Sequence, residues 1–399
     1  MLSALIIGVT PEITAHVSRL CGQSGDACVY KMLESYPHLH EVVRLVNSYA
    51  PDVIFLQLAA DGDEHLQIER VREIVEEVRM TRPETSLVGL LPSNSVEGLR
   101  VAADLGVTEL LIEPYQFDEF REVVFRGLDR AAGLSKCDVY SFLPGKSGSG
   151  ATVTALNVAE SLARDFGKRV LLLEADIASG PVAIMLNIQP QQSVVDALDH
   201  SDTLTEETWR RIVTKLNSLD VLAASGAQAA TSASQFSYFR LLSFAQQRYD
   251  YIIVDFPGVI TDPAEPLLSR SKAIYVVCTP ELTSLALTRR RLHHLELRGE
   301  RDSILSVVLN RYDQGPCSKE QMEQAVGHKI AEQLPNDYHA VQIAVASGGF
   351  VDPSTKLGKA YTAFAARLDG RPPSPNGSSR LKTLLRKLAP VEVAESIRC

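Results

Sequence analysis

Apolar runs of four to six residues alternate with helical periodicity over the first 131 positions of the chain. Ala4–Val9, Val53–Leu58, Ser86–Leu91 and Glu109–Ile112 have the length and composition of buried strands. Between them, apolar residues at three- and four-residue spacing predict helices near Ile13–Leu20, Leu39–Ser48, Leu66–Met80, Val96–Leu105 and Phe117–Ala131. Such alternation needs a parallel sheet with both faces covered. The same grammar resumes at residue 137, with strands expected at Val139–Leu143, Lys168–Asp176, Tyr249–Asp255, Ala273–Thr279 and Ser306–Arg311. The pattern predicts an α/β chain of two doubly wound parallel-sheet domains, residues 1–131 and 137–368, joined by a linker at 132–136. Residues 369–399 follow as a Pro/Ser-rich linker and a basic tail.

The strand ending at Leu143 runs into Gly145-Lys146-Ser147-Gly148-Ser149-Gly150-Ala151-Thr152, and a helical pattern begins at once. A strand, a glycine loop and a helix N-terminus make a phosphate cradle, because glycines let backbone N–H groups converge on an anion. The loop fits G-x-x-x-x-G-K-[ST] except at the lysine, which is Ala151. Downstream strands end in Asp176, Asp255 and Asn310. Asp255 is the expected acid holding Mg²⁺ through water, Thr152 would add its hydroxyl, and Asp176 could orient an attacking water. The plainer alternative is that these are ordinary strand-end turn residues.

Composition narrows the class. Apolar residues make up 45% and charged residues 22%, as in a soluble globular protein, and a net charge of −9 argues against a surface made for nucleic acid. The six cysteines form no C-x-x-C pair and no cleavable signal opens the chain, so a reducing cytoplasmic compartment is expected, with Cys21 and Cys28 as buried structural thiols. Arg289-Arg290-Arg291 reads as a solvated or dimer-edge face rather than a DNA patch, and His200 and His293-His294 lack a matching ligand set.

Two resemblances rest on these landmarks. Pro51-Asp52-Val53-Ile54-Phe55-Leu56-Gln57, with Ala102–Val107 and Leu111–Tyr115, resembles a response-regulator receiver domain. Aligned so, the phosphoacceptor falls at Gln57, the lysine at Glu113 and the acidic pair at Gly8 and Val9, so the resemblance implies a docking module that takes no phosphate. The second half resembles ParA/MinD deviant-Walker ATPases: Lys146 matches their signature lysine, which reaches the partner's phosphates across a dimer. Glu174-x-Asp176 matches their D-x-D, Asp255-Phe256-Pro257-Gly258 their D-x-P-x, Asn310 their adenine-reading asparagine, and Leu334-Pro335-Asn336-Asp337 their late base-side loop.

The two-domain combination resembles the CpaE/TadZ family of pilus-assembly localisation proteins. That resemblance implies ATP and Mg²⁺ as cofactors and a homodimer. It also implies assembly proteins of a Flp pilus or secretion system as partners, an assembly ATPase among them, and a place at the cell pole or the inner-membrane periphery. The alternative is an active ParA/MinD-type ATPase in spatial positioning or DNA partition. The departure at Ala151 bears on this choice. Loss of a charged contact worth about 1.5–3 kcal/mol weakens binding by roughly ten- to a hundredfold. Turnover should suffer more, since a positive group at the transition state is worth on the order of 10³–10⁵ in rate. Arg380–Leu388 reads as a short amphipathic cationic helix for a membrane surface, a partner or its own domain.

Overall fold

In the computed structural model, residues 2–8, 10–24, 27–58, 64–93, 96–117, 119–120, 123–124, 137–224, 233–313 and 317–371 are described. The tail at 380–388, the linker at 132–136 and Val9 lie outside them.

The first apolar runs form β1 (Leu2–Ile7), β3 (Val53–Gln57), β4 (Ser86–Leu91) and β5 (Glu109–Ile112), with β2 (Ala27–Leu33) added at one edge. All pairs are parallel, in the order β2-β1-β3-β4-β5, a doubly wound arrangement of the flavodoxin-like kind. Successive residues face opposite layers: Ala4, Ile6, Val53 and Phe55 enter one core, and Leu5, Ile7, Ile54 and Leu56 the other. The strand β2 was not expected from the sequence. As an edge strand it leaves Tyr30 and Met32 exposed, so it carries no continuous apolar run.

The second sheet is formed by β6 (Asp138–Pro144), β7 (Val170–Glu174), β8 (Thr214–Leu216), β9 (Leu219–Leu222), β10 (Tyr251–Asp255), β11 (Ala273–Cys278), β12 (Leu305–Tyr312) and β13 (Ile330–Pro335). Their order is β13-β12-β11-β6-β10-β7-β9-β8, parallel except for the β8/β9 pair. The strands β8, β9 and β13 were also unexpected; the first two are short, and β13 alternates buried with exposed positions at the sheet's other edge. β6 and β10 are adjacent and central, and their carboxyl ends open on one crevice, where such sheets bind ligands.

A helix of the second domain docks on the first. Phe239, on the helix Gln235–Gln246, joins the apolar cluster of β1 and β3, and Arg240 Nη2 donates to Asp52 Oδ2 at 2.8 Å. The Arg270 guanidinium lies over the Phe239 ring, 4.0 Å from its centroid.

Two expectations about side chains need adjustment. Cys21 is buried, but Cys28 is only half-buried because it sits on the edge strand β2. Among the three arginines, Arg289 and Arg290 are exposed as expected, whereas Arg291 turns inward to the backbone of Gly258.

Candidate functional site

The Gly145–Thr152 loop leaves β6 with geometry that only glycine permits at its key points. A Cβ at Gly145 would stand 2.0 Å from Thr288 Oγ1, and the Gly145 N–H donates to Val277 O at 2.9 Å. Gly150 has φ +91°, and a Cβ there would lie 2.3 Å from Asn310 Nδ2. The helix Ala151–Phe166 starts directly after it. Lys146 and Ser147 at the loop's crest are exposed, Thr152 is half-buried, and Ala151 is 4% exposed, packed among the apolar residues beneath the loop.

The end of β12 grips this loop from outside. Asn310 Nδ2 donates to Ser149 O at 2.8 Å, and Arg311, held at φ +54°, donates from Nη2 to Gly148 O at 3.1 Å. On the opposite side Arg291 donates to Gly258 O, and a Cβ at Gly258 would lie 3.8 Å from Ser147 Oγ. Asn310, expected from the sequence to read a base, pins the cradle.

Asp255 ends β10, in register with Phe142 of β6 and Glu174 of β7. It is 1% exposed, and neither carboxylate oxygen receives a hydrogen bond of ordinary geometry. Burial holds its carboxyl well above the usual carboxylate range; the nearby Thr152 hydroxyl softens the shift, and the charges of Glu174 and Asp176 add to it. The Ser149 hydroxyl is likewise buried and unpartnered. An orphaned buried carboxylate beside a hydroxyl and a glycine cradle is a donor set that a hydrated Mg²⁺ with nucleotide phosphates would satisfy.

The two acids after β7 separate in role. Glu174 is fully buried and accepts from Val182 N at 2.8 Å and Ala224 N at 2.7 Å, so it splints three segments; burial raises its carboxyl to about 7. Asp176 stays half-buried in the following turn, accepting from Ser179 N at 3.0 Å.

Beside the cradle a pocket opens between the ends of β12 and β13, with Gly150, Asn310, Pro335 and Asn336 in its wall. Pro335 and Asn336 were expected there. Arg311, Tyr338, Leu357 and Tyr361 also line it and were missed, since they arrive from separate elements with no local motif.

A parallel sheet with a glycine cradle at the end of a central strand defines a P-loop nucleotide-binding protein as the class. Residues 140–389 match the family described as 4Fe-4S iron sulfur cluster binding proteins, NifH/frxC family. An uncharacterized ATP-binding protein of Methanocaldococcus jannaschii is 24% identical over 241 residues, 59% of this chain and 89% of that protein. The septum site-determining protein MinD of Thermotoga maritima is 26% identical over 180 residues, 45% of this chain and 65% of its own length. The crystal structure of a ParA family ATPase from Chlorobium tepidum TLS superposes with a TM-score of 0.53 at 26% identity, covering 57% of this chain and 98% of that one. The chain belongs to this family of ParA/MinD-type P-loop ATPases.

The iron–sulfur group in the family's description does not fit this chain. A 4Fe-4S cluster needs four thiolates, so two copies sharing one would each supply two. The matched span holds Cys278 and Cys317 alone. Cys278 is fully buried at the end of β11, its thiol pushed up to about 12 by burial, while Cys317 is exposed. The two cannot converge on one cluster, and membership rests on the nucleotide-binding fold.

Proposed function

We propose that the chain is an ATP-binding localisation or assembly factor that dimerises on Mg²⁺–ATP and turns it over slowly or not at all. The observation that carries this reading is the buried methyl of Ala151 at the lysine position of an otherwise complete cradle. Gly145 to Gly150 would wrap the phosphates, with Thr152 and Asp255 at the metal, Asp255 through water. Asn310, Pro335 and Asn336 would flank the base, and Lys146 is free at the crest to reach a partner's phosphates. Asp176 would orient water in whatever hydrolysis occurs.

What Mg²⁺ would supply is charge neutralisation at the phosphates; the chain's own part is to hold the loop, through Asn310 and Arg311, and to present the Asp255 carboxylate at the end of β10. The first domain supports a docking role. Gln57, at the carboxyl end of β3, is buried and bound to Thr10 through both ends of its amide, at 3.1 Å and 2.9 Å, which leaves no carboxylate to phosphorylate. A docking module fused to a slow nucleotide clamp suits placement of a Flp-type pilus or secretion assembly, as in CpaE/TadZ proteins. Partners would be that system's assembly proteins, with Arg380–Leu388 offering a peripheral membrane contact at the cell pole.

Steady-state ATP turnover of the purified protein, beside Asp176→Ala and Ala151→Lys, tests the reading. Little turnover is expected in the wild type, no further loss in Asp176→Ala, and a gain in Ala151→Lys. Brisk hydrolysis abolished by Asp176→Ala would favour the active positioning ATPase instead.

A further inference from the structure

Of the three consecutive arginines on the helix Leu282–Leu297, Arg291 alone turns inward. It is half-buried, and its Nη2 donates to Gly258 O. Among the described residues no carboxylate pairs with it, and burial pulls its guanidinium below the usual arginine range. Desolvating a cation beside no counter-charge opposes folding, which points to a role other than stability. At the C-cap of the same helix, Arg298 Nη2 donates to Asp262 Oδ1 at 2.8 Å. The two arginines lie two turns apart on one face and hold the two ends of the segment Gly258–Asp262, which follows the Asp255 strand. The Asp262 end has a second tie, from Gln235 Nε2 to Asp262 O at 2.9 Å. The Gly258 end has none: from Pro257 to Ile260 the Arg291 contact is the only hydrogen bond among the described residues, and Val259 is 76% exposed.

Gly258 stands at the crest of the cradle, where a Cβ would lie 3.8 Å from Ser147 Oγ. The pocket beside the cradle opens on the other flank, at Gly150, Asn310 and Pro335. The sheet order agrees, with β12 and β13 to one side of β6 and β10 to the other. A nucleotide with its base in that pocket and its phosphates in the cradle therefore runs its terminal phosphate toward Ser147 and Gly258. The N–H groups of Gly258 and Val259 donate to no described residue.

We propose that Arg291 is a positioning residue for the terminal phosphate of ATP: by holding Gly258 O it keeps the segment after Asp255 against the loop crest, with its unpaired N–H groups beside the γ-phosphate. The assignment rests on the nucleotide reading above. ADP has no group at that end of the cradle, so Arg291 serves the choice of triphosphate over diphosphate. A backbone N–H gains more from a charged oxygen than from a neutral one. With alanine at 151 in place of a lysine, recognition of the terminal phosphate leans more heavily on such contacts.

The test is calorimetric titration of the full-length protein with Mg²⁺ and either a non-hydrolysable ATP analogue or ADP. Arg291→Met keeps the apolar stem and removes only the guanidinium, and circular dichroism checks its fold. The variant is expected to bind the analogue about tenfold more weakly than the wild type, with ADP affinity changed by less than about twofold. Arg291→Lys, which keeps a donor and the charge, should recover part of the loss. Arg298→Ala, which frees only the doubly tied Asp262 end, should leave the preference intact. An equal fall for both nucleotides, an unchanged preference in Arg291→Met, or the same loss in Arg298→Ala overturns the assignment and leaves nucleotide binding itself standing. A wild type that binds neither nucleotide overturns the nucleotide reading and this assignment with it.

Discussion

Glu174 and Asp255 stand side by side at the ends of neighbouring strands, and both are buried acids whose charged form the fold disfavours. For Glu174 the carboxyl rises from 4.5 to about 7. Between those values the native state keeps a proton that the unfolded chain has released, so stability is fully present below 4.5 and declines as pH rises through about 7. At about 1.36 kcal/mol per unit the loss is on the order of 3 kcal/mol. Urea unfolding from pH 5 to 8 should therefore show a falling stability that is flatter in Glu174→Gln. The slope removed includes the part of Asp255's shift that the Glu174 charge causes. Equal slopes in the two proteins would refute the assignment. At this scale the sequence marked Asp255, Asn310 and every residue from Gly145 to Thr152, because a cradle is a contiguous motif. It could not mark the structural role of Glu174, whose partners Val182 and Ala224 meet it only in the folded chain.

The helix Gln235–Gln246 does two jobs. Its Phe239 and Arg240 seat the second domain on the first, and its Gln235 donates to Asp262 O and Glu265 Oε2 in the segment that follows the Asp255 strand. One helix thus touches both the first domain and the segment that follows the Asp255 strand. Removing the Phe239 ring, 5% exposed, should cost about 3–5 kcal/mol. Calorimetry of Phe239→Ala is expected to split the thermal transition into two, one per domain, and a single unshifted melt would count against docking through this helix. From the sequence, this segment lay within the second domain with no element assigned to it, and Phe239 looks like any core aromatic. The edge strands β2, β8, β9 and β13 were illegible for a related reason: short or half-exposed strands lack the continuous apolar run that marks β3 or β10.

For the whole molecule, Lys146 is an exposed cation at the crest of the cradle, and in the proposed clamp it reaches the phosphates of a second copy. In the proposed clamp, ATP should convert the wild type from monomer to dimer in analytical ultracentrifugation, with Lys146→Ala remaining monomeric while still binding nucleotide. A wild type whose mass ignores ATP would sink the clamp. Among the described residues no helix is long and apolar enough to cross a membrane.

By itself the sequence determined the two parallel-sheet domains and the glycine loop with alanine at position 151. Those features follow from local period, strand-and-helix alternation and contiguous glycines. Tertiary structure alone decided that Arg311 and Asn310 clasp the loop and that Phe239 joins the domains. Each depends on side chains brought together from distant strands and helices, a proximity that no periodicity encodes.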